Sequence, residues 1–145
     1  MSALNNGENY ITSSGRVSNF KLTETICSCG CGFNDVHQEL IDCLQTINDC
    51  LAFPIKLNCV CRCDKYNKSI GGAKDSYHVK GMAADIAAID EDTGDDMASE
   101  KLFEMLNPFE IPCIIRYPGH HFCHVDVRET KTRLSKNKQG GYDNI

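Results

Sequence analysis

The sequence predicts an α+β domain, a small antiparallel sheet with flanking helices carried on one side. Three observations point to it: two stretches with helical spacing, two short stretches with strand alternation, and no βαβ succession among them. With 145 residues, 41% of them hydrophobic, the chain suffices for one core.

Taken in order, residues 1–19 are rich in Ser, Asn and Gly without periodicity and read as a polar leader. The domain is expected over residues 20–130. Asp35, followed three positions later by Gln38, resembles a capping box, and Val36, Leu40, Ile41, Leu44, Ile47 and Leu51 then keep helical spacing. A second helix is expected where Met97, Leu102, Met105 and Leu106 form a stripe ending before Asn107 and Pro108. From Gly81 to Ile89 a strand would put Met82, Ala84 and Ile86 on one face and Ala83, Asp85 and Ala87 on the other. Phe122 to Arg128 alternates more cleanly, with Cys123, Val125 and Val127 opposed to His124, Asp126 and Arg128. Residues 131–145, whose only aliphatic side chain before Ile145 is Leu134, read as a polar tail.

A net charge of −5 with scattered Lys and Arg offers no surface to a polyphosphate backbone, so no nucleic acid partner is expected. No apolar run reaches membrane-spanning length, which predicts no membrane span. The opening MSALNNGENYITSSGR lacks the basic start and apolar centre of a secretory signal. A monomer without a signal peptide is the expectation.

His78, Asp85 and His124 supply two imidazoles and a carboxylate, the kind of three-ligand set that holds a zinc ion and leaves a fourth position open. Five histidines and many aspartates would allow some such triple in many chains. The surrounding residues are more specific. SYHVKGMAADI and HVDVR resemble the two zinc-binding motifs of the zinc D-Ala-D-Ala carboxypeptidases, S-x-H-x-x-G-x-A-x-D and H-x-D. Upstream, CRCDKYNKSIGGAKDSYH resembles that family's Arg-containing turn, Tyr-Asn pair and Gly-Gly-Ala loop. The similarity runs from Phe20 to Arg128.

The resemblance implies a hedgehog/DD-peptidase-like fold, Zn2+ as cofactor and His78, Asp85 and His124 as its ligands. Arg62 then binds or polarises the substrate carbonyl, although a surface ion pair is an equal alternative for it. Asp126 would touch substrate or orient a ligand, and Ser76 would border the substrate or brace the loop before His78. The implied activity is hydrolysis of D-amino-acid-containing bonds in peptidoglycan stem peptides, as a carboxypeptidase or an endolysin-type endopeptidase. Such an enzyme would wait in the cytoplasm until released and act on the cell wall.

The sequence departs from the family in one place. Its wider clan carries Glu or Asp a few residues before the last histidine ligand, whereas this chain reads RYPGHHFC there. Histidine titrates near pH 6.5 and can act as a general base near neutrality. His121 is the expected base, with His120 as rival. Straight alternation would place His120, not His121, with His124, unless a turn at Pro118 and Gly119 resets the register. Two exposed loop histidines are the alternative, and a metal-bearing binding module without an effective base is then the rival function.

Cys27, Cys29 and Cys31 repeat the spacing of Cys59, Cys61 and Cys63. If the triplets meet, they would form a structural metal site or disulfides; otherwise they are small buried side chains in a reduced compartment. A Cys-rich structural or redox protein is a third functional class. The acidic run Asp90, Glu91, Asp92, Asp95 and Asp96 lacks EF-hand spacing and reads as a solvated loop leading into the second helix.

Overall fold

The computed structural model describes residues 1–145. In chain order the elements are β1 (Asn9–Ile11), β2 (Val17–Lys21), α1 (Gln38–Cys50), β3 (Ile55–Cys59), α2 (Asp64–Ser69) and β4 (Ala83–Ala88). They continue with α3 (Ser99–Leu106), β5 (Cys113–Arg116), β6 (Cys123–Asp126), β7 (Thr132–Lys136) and β8 (Tyr142–Asn144). β1 and β2 pair as a separate hairpin, and the remaining strands form one six-stranded sheet in the order β3-β4-β6-β5-β7-β8. No helix is long and apolar enough to cross a membrane.

The α+β class holds, but the sheet is mixed rather than wholly antiparallel, because β7 runs parallel to β5. Residues 127–131 lead from the end of β6 past the start of β5, where Thr132 donates to the Pro112 carbonyl at 2.7 Å. From there β7 has one direction available, alongside β5.

Both main helices pack on one face. Leu40, Ile41, Leu44 and Ile47 of α1 and Leu102, Phe103 and Leu106 of α3 join Ala84 and Ile86 of β4, Ile114 of β5, and Cys123 and Val125 of β6 in a single core. Side chains alternate along each strand, so Asp85, His124, Asp126 and Ile115 belong to the opposite face. β4 lies inside the sheet, and Ala83, Ala84, Ala87 and Ala88 on its two faces are fully buried.

The polar leader is a correction. Residues 9–21 form the β1–β2 hairpin, and Tyr10 and Phe20 enter the core. The hairpin is held by polar residues of α1: the Gln38 amide donates to the Ile11 carbonyl at 2.9 Å, and the Gln45 side chain accepts from Asn19 N at 2.8 Å. Gln38 is thereby taken away from the expected capping box. His37 occupies the cap position without a side-chain bond, and Asp35 accepts from Ser2 Oγ at 2.6 Å instead. The polar tail is corrected in the same way, since β7 and β8 extend the main sheet. The second helix starts at Ser99, after Met97, which is buried. In the acidic loop before it, Lys101 reaches Asp90 at 3.0 Å and Asp92 at 3.2 Å.

Gly81 ties the loop before β4 to the start of α1. Its carbonyl accepts from His37 N at 2.9 Å, its φ is +70°, and a Cβ there would overlap the Asp35 carbonyl oxygen. Gly119 has φ +84° with open space around it. Gly81→Ala is expected to lower stability by more than the ~1–2 kcal/mol that a left-handed backbone costs an L-residue, whereas Gly119→Ala costs about that conformational amount alone. Urea denaturation of the two variants checks the difference.

Candidate active site

The register of β4 with β6 sets Asp85 opposite His124, on the sheet face turned away from the helices. His78 reaches the same point from the loop before β4. Its amide donates to Ser76 Oγ at 3.2 Å, Gly81 N donates back to the His78 carbonyl at 3.3 Å, and the imidazole is buried at 2% exposure. The two imidazoles meet edge to face with centroids 5.1 Å apart.

Asp85 Oδ1 lies 3.2 Å from His78 Nε2 and 3.4 Å from His124 Nδ1. The remote ring nitrogens have partners of their own. His78 Nδ1 donates to the Val60 carbonyl at 2.8 Å, and His124 Nε2 donates to Asp126 Oδ2 at 2.7 Å. In these tautomers each ring turns a lone pair, not a proton, toward Asp85. Two imidazole lone pairs turned toward one carboxylate oxygen repel it unless a metal ion or a proton lies between them. Nitrogen and oxygen ligands at zinc distances in a tetrahedron stand about 3.3 Å apart, which agrees with both separations.

Two other donor groups are close but fit less well. Cys59 Sγ lies 3.9 Å from His78 Nδ1, the nitrogen already committed to Val60. Cys113 groups with His124 and Asp126, but both Asp126 oxygens are occupied by Arg128, through Nε at 2.8 Å and a second guanidinium nitrogen at 2.6 Å.

Electrostatics reinforce the convergence. Burial would raise the Asp85 carboxyl, yet the His124 and His78 imidazoles, when protonated and donating to it, more than offset it and hold the group well below the usual carboxylate range. Burial likewise disfavours charge on His78 and His124, and carboxylates prevail: Asp85 raises His78, and Asp126 with Asp85 raises His124. Asp126 is also held low despite its burial, first by Arg128 and then by His124. The site is built to receive positive charge.

A cavity of about 510 Å³ opens over the three groups, bordered by Arg62, Ser76, Tyr77, Tyr117, Phe122 and Arg128. Arg62 donates to Asn67 Oδ1 at 2.9 Å, and its buried Nε has no partner. The profile of the Peptidase M15 family matches residues 16–126, which contain Arg62, His78, Asp85 and His124. The chain belongs to the Peptidase M15 family. No curated protein and no solved structure matches it. Membership implies a peptidase, and peptidases of this family are typically zinc-dependent.

Within this M15 chain, Arg62 and Ser76 border the cavity with the three converging groups, and Ser76 also braces His78 from below. Two expected residues do not reach it. Asp126 is fully buried with both oxygens engaged, so it holds His124 rather than meeting a substrate. His121 is exposed, its Nδ1 stands 3.0 Å from the Asp96 carbonyl oxygen, and it lines a separate pocket with Ile89, Gly94, Asp95 and Asp96. Pro118 and Gly119 do form a turn, but it aims His121 at the acidic loop rather than bringing it to the face of His124. His120 is exposed too and packs edge-on against Tyr117 and Phe122.

Sequence reasoning missed Arg128 and the contribution of residues 131–145. Arg128 borders the cavity, locks Asp126 and lies over the Tyr77 ring at 4.6 Å. Its position two residues beyond Asp126, on the polar face of the strand expected over Phe122 to Arg128, was the available signal. Leu134, Lys136 and Tyr142 of β7 and β8 form the far wall, and their alternation within a polar stretch is too weak to stand out. Partners of metal-bound histidines typically change metal affinity by about 10–100-fold, and Asp126→Asn is expected to weaken zinc binding by about that factor without unfolding the protein. Competition with a chromogenic chelator, with circular dichroism as the control for fold, checks it.

Proposed function

We propose that this chain is a zinc-dependent peptidase of hedgehog/DD-peptidase-like fold that hydrolyses D-amino-acid-containing peptide bonds of peptidoglycan, as a carboxypeptidase or an endolysin-type endopeptidase acting on the cell wall. The observation that carries this reading is the convergence of His78 Nε2, His124 Nδ1 and Asp85 Oδ1, with both remote nitrogens committed elsewhere. These three residues would hold the zinc. When bound, zinc supplies Lewis acidity toward a carbonyl and makes water reactive near neutral pH.

The chain's own residues do the rest. Asp126, locked by Arg128, fixes the tautomer and direction of His124. Arg62 offers its guanidinium to the substrate carbonyl, stabilising the negative charge that develops on oxygen. The cavity borders Arg62, Arg128 and Lys136, a setting that suits a peptide carrying free carboxylates. Tyr77, Tyr117, Phe122 and Tyr142 give apolar surface to the peptide chain on either side.

A second reading, a zinc-bearing binding module of the same fold, is favoured by one observation: neither His120 nor His121 borders the cavity. Incubation of zinc-loaded protein with purified peptidoglycan, read by mass spectrometry of released fragments, separates the two. Cleavage is expected, and His78→Ala is expected to abolish it. Binding without cleavage favours the module. His121→Ala is expected to keep activity within about tenfold of the parent, since loss of a general base costs about 10²–10⁴-fold. A loss in that larger range would contradict the placement of His121 outside the site.

A further inference from the structure

Four thiols gather away from the cavity's metal-facing groups. Cys27, Cys29 and Cys31 lie in the loop between β2 and α1, and Cys63 caps the N-terminus of α2. Their sulfurs all lie within 4.8 Å of one another. Cys27 and Cys29 are 3.5 Å apart, and Cys29 and Cys63 are 3.7 Å apart. Thiolates around zinc, with bonds of about 2.3 Å in a tetrahedron, stand about 3.8 Å from each other.

The backbone is arranged to match. Cys63 N donates to Cys27 Sγ at 3.4 Å, Phe33 N to Cys31 Sγ at 3.4 Å, and Tyr66 N to Cys63 Sγ at 3.3 Å. Donors aimed at sulfur favour the thiolate, the form that binds metal. Gly30 and Gly32 have φ of +82° and +88° and follow Cys29 and Cys31 directly. These left-handed turns curl the loop, so the three sulfurs reach one point instead of lining the face of a strand. Cys29 and Cys31 are exposed, which gives an ion a route in. The second cysteine triplet contributes only Cys63, because Cys61 is buried in the core and Cys59 lies beside His78.

We propose that Cys27, Cys29, Cys31 and Cys63 hold a structural zinc ion, a second metal centre distinct from His78, Asp85 and His124. A four-thiolate set fills the tetrahedron and leaves no open position, so the centre is structural rather than catalytic. Each thiol gives up its proton as the ion binds. The bound ion clamps the loop of residues 27–31 to the start of α2, next to Arg62 on the cavity wall. The proposal stands whether or not the cavity hydrolyses peptides.

Cobalt substitution tests it. The cobalt-loaded full chain is expected to show the near-ultraviolet thiolate-to-cobalt charge-transfer band and the visible bands of a tetrahedral site. The charge-transfer band is expected to persist in His78→Ala and to vanish in Cys29→Ser/Cys31→Ser, whereas visible bands from cobalt at His78, Asp85 and His124 survive the cysteine exchange. On the unmutated zinc-loaded protein, a mercurial thiol reagent is expected to release zinc that His78→Ala also carries. No charge-transfer band in the folded parent, a charge-transfer band that survives the double cysteine exchange, or a disulfide among the four thiols in the purified parent would overturn the proposal.

Discussion

Asp85 and His124 face each other across adjacent antiparallel strands, and everything at the site depends on the register of that pair. Because side chains alternate with period two, a one-residue slip of β4 would carry Asp85 into the apolar layer beneath α1 and α3 and bring Ile86 to the cavity, and a slip of β6 would do the same to His124 and Asp126 and to Val125. Ile86 and Val125 are fully buried against the helices. Each such side chain contributes about 1.5–3 kcal/mol by leaving water, so the hydrophobic face holds the polar face in place. The core and the site are two sides of one constraint.

A second layer of order acts through the remote nitrogens. Val60 and Asp126 each accept from one imidazole, and this decides which nitrogen is left facing Asp85. The Val60 carbonyl is supplied just after β3, and Asp126 follows two residues beyond His124 on β6. Both orienting groups therefore come from the sheet region itself. Arg128 completes the chain by neutralising Asp126, which would otherwise be an isolated buried carboxylate. His124 is thus held by a paired charge rather than by a free one.

Much of this was legible in the sequence where the relevant physics is local. The alternation of Ala84 and Ile86 with Asp85, and of Cys123 and Val125 with His124 and Asp126, gave both central strands and their faces, and the spacing of Leu40, Ile41, Leu44 and Ile47 gave α1. Features that rest on distant partners were hidden. The β1–β2 hairpin contributes Tyr10 and Phe20 to the core and otherwise depends on Gln38 and Gln45 of α1. β7 and β8 add an edge with Leu134 as their only aliphatic side chain, so no apolar pattern announces them. His121 has suitable spacing from His124, but its direction follows from a turn and from the Asp96 carbonyl. Alternation put Asp126 on the right face, yet that it would be sealed beneath Arg128 is tertiary information. The cysteine triplets do meet, but through Cys63 alone, because the first triplet curls instead of running extended.

The most direct test of the site is anomalous diffraction at the zinc absorption edge from crystals of the zinc-loaded chain. The convergence of donor atoms requires a peak bounded by His78 Nε2, Asp85 Oδ1 and His124 Nδ1, open toward the cavity beside Arg62. No peak there at full zinc loading, or a peak bound by Cys59 or Cys113 in place of those atoms, would contradict it.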